Sequence, residues 1–455
     1  MEWMALLLFA CVCIVLLFGF PVAFSLAGTS LIFAGVGYLL GAFDVSYLGA
    51  LPSRLYGILS NTTLLAVPLF VFMGIVLEKS KIAENLLIAM SDLLWRFKSG
   101  MAVSVVIVGM LLAASTGIVG ATVVTMGLLS LPTMLQRGYS ASFATGTICA
   151  TGTLGQIIPP SIALVLLGDV LSSAYQQAQL NMGIFAPESV SVGDLFVGAL
   201  IPGMVLVALY LLYVFLTSWL SKRAIPAKLD DTKRPENPGL WGALVPPLLL
   251  IVVVLGSILS GYATPTEAAG VGATGALILA LVTGRLNRDM LRSVMMETTK
   301  VTSMVFMILI GASIFSLVFR GFGGETLIHE FLTGLPGGVF GAMLIVMLVV
   351  FILGFILDFI EITFVVVPIV APVLLTMGVD PVWLGIMLAI NLQTSFLTPP
   401  FGFALFYLRG VAPASVPTKA IYKGVVPFIA IQLLLLIALA IWPDMATWLP
   451  DNLYN

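Results

Sequence analysis

Long apolar runs, separated by short clusters of charged residues, glycine and proline, fill almost all of the 455-residue chain. Most runs contain about 20 residues, the length that an α-helix needs to cross a hydrocarbon layer about 30 Å thick. The pattern therefore predicts membrane-crossing helices along the whole chain. The predicted segments are residues 4–24, 25–44, 62–78, 100–136, 141–171, 195–221, 240–260, 265–284, 301–319, 338–376, 384–409 and 424–443.

Two of these runs, residues 100–136 and 338–376, are too long for one crossing. Polar or small residues interrupt each run near its middle, at Ser115-Thr116-Gly117 in the first and at Asp358 and Glu361 in the second. We expect each run to form a re-entrant hairpin that enters and leaves on one face. Irregular backbone at membrane depth is tolerated where protein or a water-filled cavity surrounds it.

Composition agrees with this pattern and excludes several classes of function. Hydrophobic residues make up 60% of the chain and charged residues 9%, against about 25% charged in soluble domains. The fold class is therefore an all-α polytopic membrane protein. A net charge of −2 argues against a nucleic-acid partner, and three Cys with a single His do not favour a transition-metal site. The sequence has no phosphate-binding loop of the G-x-x-x-x-G-K-[ST] type, so we expect no ATP hydrolysis by that route.

The basic residues set the expected orientation. With about ten full crossings, two hairpins and an external N-terminus, all of the 19 Lys and Arg residues except Arg54 and Arg320 fall on the cytoplasmic side. Counting either hairpin as two crossings would reverse every later loop and destroy this asymmetry. Both termini are then predicted to be periplasmic, and the polar residues 222–239 form a cytoplasmic linker.

The segments before and after this linker resemble each other. A shift of 240 residues superposes the two hairpin midpoints and four Gly or Pro positions: Pro132 on Pro372, Gly138 on Gly378, Pro159 on Pro399 and Pro160 on Pro400. We interpret residues 1–221 and 240–455 as two repeats of about five crossings each. An odd number of crossings gives the second repeat the opposite orientation, as in many secondary transporters. Coincidence in a chain rich in Gly and Pro is the alternative.

Each hairpin precedes a segment, about 141–171 or about 384–409, that contains a Pro-Pro pair. Proline removes a backbone donor and clashes with the preceding turn, so each helix should break there. A break exposes carbonyl and hydroxyl oxygens, which suit a hard cation such as Na⁺, and a helix N-terminus, which suits an anionic group. A simple proline kink without a ligand is the alternative reading.

The hairpin midpoints offer different chemistry. The first, Ser115 to Thr122, has hydroxyls and a flexible backbone, and packing of small residues between helices is its alternative role. The second contains Asp358 and Glu361, three residues apart, which could bind a cation, carry a proton or cap a helix. Elsewhere, Thr264 and Glu267 have the spacing of a helix capping box.

Two stretches, residues 285–300 and 45–61, are predicted to lie on the inner and outer membrane surfaces as arms. Residues 285–300 are amphipathic, and their basic side chains would face the cytoplasmic headgroups. Paired arms could brace a fixed scaffold while the hairpins and broken helices move together.

Four motifs resemble a known family. They are Ser115-Thr116-Gly117 with Gly120-Ala121-Thr122, Gly155-Gln156-Ile157-Ile158-Pro159-Pro160-Ser161, residues 261–270 (Gly-Tyr-Ala-Thr-Pro-Thr-Glu-Ala-Ala-Gly), and Leu397-Thr398-Pro399-Pro400-Phe401-Gly402. Together they resemble the large membrane subunit of tripartite ATP-independent periplasmic (TRAP) transporters, the DctM-like family. The likeness extends along nearly the whole chain.

The resemblance implies Na⁺-driven uptake of a small organic acid, by an elevator motion, across the bacterial inner membrane. It implies two partners: a small four-helix (DctQ-like) membrane subunit on a separate chain and a periplasmic (DctP-like) substrate-binding protein. It implies no cofactor other than Na⁺ as the coupling ion. The implied cation-binding residues are Ser115, Thr116, Gly117, Gly120, Thr122, Gly152, Thr153, Gly155, Asp358, Glu361, Thr363, Gln393, Thr394 and Thr398. The implied substrate-binding residues are Gln156, Pro159, Pro160, Ser161, Ser395, Pro399, Pro400 and Gly402.

The sequence thus predicts the large permease subunit of a Na⁺-coupled carboxylate importer. A stand-alone anion/H⁺ exchanger, with Glu361 or Asp358 as its proton carrier, is the main alternative. A membrane-embedded enzyme is disfavoured because no nucleophile–base pair is recognisable. A purely structural membrane subunit is the remaining class. The identity of the acid stays open.

Overall fold

Helices form every regular element in the part of the chain that the structure, a computed structural model, describes: residues 3–220 and 240–454. The predicted linker at residues 222–239 lies outside this part. Seven of the helices are long and apolar enough to cross a membrane, and the number rises to nine if each of two bent pairs is one span. The structure is thus that of a multi-pass membrane protein.

The described residues before the linker form ten α-helices. They are α1 (Trp3–Leu17), α2 (Val22–Leu39), α3 (Leu51–Ser60), α4 (Ala66–Lys79), α5 (Ile82–Leu93), α6 (Gly100–Thr116), α7 (Val119–Gln136), α8 (Ala141–Thr153), α9 (Ile162–Asn181) and α10 (Val192–Leu220). Short 3-10 turns occupy Val45–Ala50, Thr63–Leu65 and Leu154–Gln156.

In the described part of the chain after the linker there are eleven α-helices. They are α11 (Leu240–Leu259), α12 (Pro265–Val282), α13 (Arg288–Gly321), α14 (Gly324–Thr333), α15 (Gly338–Leu353), α16 (Phe359–Val365), α17 (Val367–Thr376), α18 (Pro381–Leu397), α19 (Phe403–Val411), α20 (Thr418–Ile441) and α21 (Asp444–Tyr454).

Two predicted boundaries differ from the structure. The first helix ends at Leu17, not near residue 24, because Gly19 adopts a left-handed conformation and Pro21 starts the next helix as its N-cap. The predicted arm 285–300 and span 301–319 form one continuous helix, α13, whose 34 residues extend about 50 Å. Asn287 caps its N-terminus by accepting a hydrogen bond from the Met290 backbone amide.

The first long apolar run contains two helices, α6 and α7, joined by Gly117 and Ile118 and packed against each other. Gly117 has a φ of 60°, a left-handed conformation that glycine adopts without strain. The second run contains α15, then residues 354–358, then α16 and α17, which are bent by 55° relative to each other. Both α15 and α16 pack against α17.

The helices that carry the Pro-Pro pairs lie in the interior. Every residue of α8 from Phe143 to Thr153 is buried, as is every residue of α18 from Leu384 to Leu397. Helix α8 packs against α6, α7 and α20, and α18 packs against α9, α10, α15 and α20. The segments flanking both proline pairs are therefore held by helices from both halves of the chain.

The segments predicted as arms surround this core. Helix α3 has no buried residue and is bent by 51° relative to α4 at residues 61–62. Helix α13 packs along α2 and α4, and its outer part also contacts α3. The predicted capping box at α12 is confirmed, since Thr264 accepts from the Glu267 amide while Glu267 accepts from the Thr264 amide.

Candidate functional site

Both Pro-Pro pairs lie in gaps between helices. After α8 and a 3-10 turn, the chain passes through the cis Pro159-Pro160 bond, and Ser161 caps α9. The Ser161 hydroxyl also donates to the Gly155 carbonyl over 2.7 Å, and this hydrogen bond connects the residues before and after the proline pair. After α18, the chain passes through the cis Pro399-Pro400 bond, and α19 begins after Gly402. Each gap leaves the first amides of the following helix without helical partners.

The two helices that precede the gaps, α8 and α18, are joined directly by side chains. The Gln393 amide nitrogen, on α18, donates to the Thr153 hydroxyl oxygen at the end of α8 over 3.3 Å. The Thr153 hydroxyl in turn donates to the Ala150 carbonyl. Sequence reasoning missed two neighbours: the Tyr210 hydroxyl lies beside both side chains, and it accepts a hydrogen bond from Gln432 over 2.8 Å. A lone glutamine in the apolar part of α20, after Lys423, was the only sequence signal for them.

Several buried oxygen atoms, in the 3-10 turn after α8 and on α16 and α18, lack a hydrogen-bond partner among the described residues. They are Gln156 Oε1, Gln393 Oε1 and Thr363 Oγ1, of which Gln393 and Thr363 belong to fully buried side chains. A buried acceptor without a partner costs about 1–3 kcal/mol, so such atoms are normally satisfied by water, an ion or a ligand. Neutral oxygens of this kind suit a hard cation.

Other hydroxyls among the predicted site residues donate hydrogen bonds to backbone carbonyls of their own helices. Thr394 donates to the Ile390 carbonyl, Ser395 to that of Leu392 and Thr398 to that of Thr394. Thr122 likewise donates to the Ile118 carbonyl. A hydroxyl whose proton is used in this way still has oxygen lone pairs that can coordinate a cation.

A central cavity of about 160 Å³ brings both hairpin tips together. Among the predicted site residues, Gly117, Gly120, Gln156 and Asp358 line it. The predicted residues at the two proline pairs, Ser161, Ser395 and Gly402 are not among its lining residues. The other predicted positions that are absent from its lining are Thr122, Gly152, Thr153, Gly155, Glu361, Thr363, Gln393, Thr394 and Thr398. The structure thus separates the predicted residues into a few that line the cavity and others that do not.

The start of α9 and one carboxylate dominate the polarity of this cavity. Ile162 and Ala163, the first residues of α9, line it, and a helix N-terminus favours negative charge. Asp358 contributes the single charged side chain among the described lining residues. The wall opposite the tips comes from Val71 of α4 and from Val301 to Val305 of α13.

Asp358 and Glu361 have different positions despite their close spacing. They form a capping box at the start of α16: Glu361 Oε2 accepts from the Asp358 amide over 3.0 Å, and Asp358 Oδ1 accepts from the Phe359 amide over 2.7 Å. Glu361 is 7% exposed and turned to this cap, whereas Asp358 lines the cavity.

Close packing explains several glycines of the predicted site. A Cβ atom added to Gly152 would collide with Val123, and one added to Gly155 would lie 3.2 Å from the Ala113 carbonyl oxygen. One added to Gly120 would lie 2.9 Å from the Tyr407 ring. The side chains of Ser115 and Thr116 lie outside the described residues.

Comparison with known proteins identifies the family. A model of the DctM component of tripartite ATP-independent periplasmic transporters matches residues 9–445. The chain belongs to the DctM family. This permease is 30% identical over 415 residues to the C4-dicarboxylate TRAP transporter large permease protein DctM of Pseudomonas aeruginosa, covering 90% of this chain and 91% of the relative. It is 28% identical to the sialic acid TRAP transporter large permease protein SiaM of Vibrio cholerae, with 95% of each chain covered.

The fold is also similar to that of a solved transporter whose sequence identity to this chain is much lower. The YdaH transporter of Alcanivorax borkumensis superposes with a TM-score of 0.65 at 14% identity, covering 89% of this permease and 90% of that chain. The resemblance found in the sequence is thus confirmed. The protein is a multi-pass transporter permease subunit of a bacterial inner-membrane family and not an enzyme.

Proposed function

We propose that this permease moves a small organic acid inward together with Na⁺. The observation that carries the proposal is a set of buried oxygens without a partner among the described residues, Gln156 Oε1, Thr363 Oγ1 and Gln393 Oε1. Na⁺ would satisfy oxygens of this group without requiring a buried anion. The Thr153 hydroxyl, which Gln393 reaches over 3.3 Å, would bring an oxygen from the first half to the same ion.

Charge at the central cavity gives a physical reason for coupling. The substrate carboxylate would bind the N-terminus of α9, but Asp358 lines the same cavity. Two negative charges about 4 Å apart repel each other by about 4 kcal/mol at an effective dielectric constant near 20. A Na⁺ ion held near Asp358 cancels this repulsion, so the organic acid binds well only after the cation has bound.

The arrangement of helices supports an elevator motion. The arm helix α3 continues into α4, which packs on α12 and α13 as one scaffold. Helices α6 to α9 and α15 to α19 form the unit that holds the helix gaps. In this proposal the second unit slides along α4 and α13, and the central cavity, which lies between the two units, opens to each side in turn.

The internal repeat supports the same proposal. The shift of 240 residues that superposes the Pro-Pro pairs also superposes Thr153 on Gln393, and these two residues are in contact. An inverted repeat would place the two gaps on opposite sides of one site near the midplane. The cation would then be coordinated by equivalent positions of both halves.

We further propose that the permease works with a small membrane subunit and a periplasmic substrate-binding protein. Membership of a tripartite family supports this assembly. Two relatives are named for C4-dicarboxylates and for sialic acid, so the substrate proposed for this chain is a carboxylate without further identity.

A second candidate is an anion/H⁺ exchanger that works alone. The observation in its favour is the pair of carboxylates, Asp358 and Glu361, at the second hairpin tip. Glu361 is hydrogen-bonded to the backbone as a cap, which leaves Asp358 as the group able to exchange a proton with the cavity.

Uptake by proteoliposomes separates the two candidates. The permease is reconstituted with its small subunit and binding protein, and uptake of the binding protein's organic acid is driven either by a Na⁺ gradient or by a pH gradient alone. The proposal predicts uptake only with the Na⁺ gradient and only with the binding protein present. Uptake driven by pH without the binding protein would replace the proposal with the exchanger.

A further inference from the structure

A second, larger cavity lies on the face that the basic residues assign to the outside. This outer cavity of about 380 Å³ is an open cleft lined by α3 and the segment after it, α9, α13 and the α16–α17 pair. On α9 its wall begins at Asp169, past the Ile162 to Leu166 stretch that lines the central cavity. On α13 it begins at Leu309, one turn beyond Val305, or about 6 Å further along the helix. The outer cavity is therefore the next chamber beyond the central one.

The outer cavity contains a cation that no described residue binds. Arg54 of α3 lines it and is half-buried, and it makes no hydrogen bond or ion pair with the part of the chain that the structure describes. Arg320 and Glu325 both lie near enough for their charges to act on Arg54, but these two residues are bound to each other over 2.6 Å. The two basic residues predicted to be outside thus meet at one place, and one of them is free to bind an anion.

The same cavity contains a carboxylate whose position is fixed. Asp169 of α9 accepts a hydrogen bond over 2.8 Å from the Asn61 side chain. The Asn61 side-chain oxygen also accepts hydrogen bonds from the backbone amides of Thr63 and Leu64, which fix its orientation. The remaining polar lining consists of hydroxyls and an amide: Ser173, Ser313, Ser316 and Gln177. Such a wall offers one strong site for a carboxylate and several acceptors for hydrogen-bond donors.

We propose that the outer cavity binds the substrate before it reaches the central cavity, and that it selects organic acids carrying a hydroxyl or ammonium donor beside the carboxylate. The substrate carboxylate pairs with Arg54, and the donor reaches Asp169 or the serines. A second carboxylate on the substrate would face Asp169 and be repelled. This inference rests on the proposed function only in taking the substrate to be an organic acid.

Thiol protection tests the site without knowledge of the natural substrate. Ser173 lines the cavity and is exposed, so a Ser173→Cys variant can be labelled with N-ethylmaleimide. The parent chain, with Cys11, Cys13 and Cys149, gives the background labelling. Labelling of the purified permease is measured in Na⁺-free buffer against rising concentrations of gluconate, which has a carboxylate and hydroxyls, or succinate, which has two carboxylates and no hydroxyl.

Gluconate is expected to slow the labelling of Cys at position 173 at lower concentrations than succinate does. Arg54→Gln should raise the gluconate concentration needed for half-protection about tenfold or more, since a hydrogen bond to a charged group is lost. Arg54→Lys should keep most of the protection. Asp169→Asn should bring succinate close to gluconate. Arg285→Gln, which removes an exposed positive charge at the opposite end of the molecule, serves as the matched control and should change nothing.

Two results would overturn the inference: no protection by gluconate, or equal protection in the Ser173→Cys variant and in the same variant carrying Arg54→Gln. Succinate protecting the Ser173→Cys variant as well as gluconate does would overturn the selectivity. Because Na⁺ and the partner proteins are absent, this test can succeed while Na⁺-driven uptake fails, and the reverse. The two proposals are therefore tested separately.

Discussion

The Gln393 side chain donates a hydrogen bond to Thr153 over 3.3 Å, although 240 residues separate them. The same shift superposes the two Pro-Pro pairs, so positions that correspond in the two halves touch each other. Both side chains are fully buried, and Gln393 keeps an unpartnered oxygen there. This contact joins the two helix gaps into one polar site.

Removing the Thr153 hydroxyl should weaken Na⁺ coupling. Thr153→Val keeps the shape of the side chain but removes an oxygen from the proposed cation site and the acceptor used by Gln393. We expect the Na⁺ concentration for half-maximal uptake to rise about tenfold or more, as for the loss of one strong polar contact. Uptake into proteoliposomes at varied Na⁺ concentration measures this.

Thr147→Val is the matched control for this variant. Thr147 lies on the same helix, is equally buried, and its hydroxyl donates only to the Phe143 carbonyl of its own helix. It should leave the Na⁺ dependence unchanged. A similar rise in both variants would mean that helix packing, and not the site, causes the effect.

The two acids of the second hairpin should respond differently to neutralisation. Asp358→Asn still caps α16 but removes the charge from the cavity. Substrate binding to this variant should therefore depend less on Na⁺. Glu361→Gln should retain coupling, because glutamine can accept the hydrogen bond from the Asp358 amide. The substrate affinity of each purified variant, measured with and without Na⁺, shows how strongly its binding depends on Na⁺. Identical behaviour of the two variants would contradict the assignment.

A glycine contact between α8 and α20 should be essential for packing. A Cβ atom at Gly146 would collide with the Gly424 backbone, which cannot give way as a flexible side chain can. Gly146→Ala should destabilise the fold by about 1–3 kcal/mol and lower the Tm in detergent. Gly270→Ala, where nothing lies within 4 Å of the added atom, should leave the Tm unchanged or raise it slightly. An equal Tm for both variants would argue against the close approach.

An elevator motion should separate contacts between the two units. Thr125 of α7 donates to Glu78 of α4 over 3.3 Å, a contact between the proposed moving unit and the scaffold. A Glu78→Cys, Thr125→Cys pair joined by a short bifunctional thiol reagent should lose uptake. Each single variant treated in the same way should retain uptake. Full uptake by the cross-linked pair would show that these helices do not move apart.

Sequence reasoning worked where local chemistry decides the structure. The proline pairs at 159–160 and 399–400 interrupt helices, and glycine at position 117 permits the turn after α6, so these features could be foreseen. The pair Pro246-Pro247 lies inside the continuous helix α11, so a proline pair alone does not decide a break. The capping boxes at Thr264 and Asp358 also follow from residues three positions apart. The end of α1 was missed, since the turn at Gly19 and Pro21 is hidden within one continuous apolar run.

Long-range packing decides the rest of the site. Nothing near Tyr210 in the sequence indicates that its hydroxyl meets Gln432 from a helix 222 residues later. The separation of Asp358 from Glu361, one in the cavity wall and one in the cap, likewise depends on how α16 packs. Arg54 stood out only as an exception to the charge asymmetry, and the outer cavity beside it required the folded chain.

Binding of radioactive sodium to the purified permease tests the central claim most directly. Equilibrium binding is measured for the parent and for Gln393→Met, which keeps the length of the side chain but removes its oxygen and its hydrogen bond to Thr153. The account predicts saturable Na⁺ binding in the parent that excess K⁺ does not displace, and an affinity at least about tenfold lower in the variant. Absence of saturable Na⁺ binding in the parent, or the same affinity in both proteins, would contradict it.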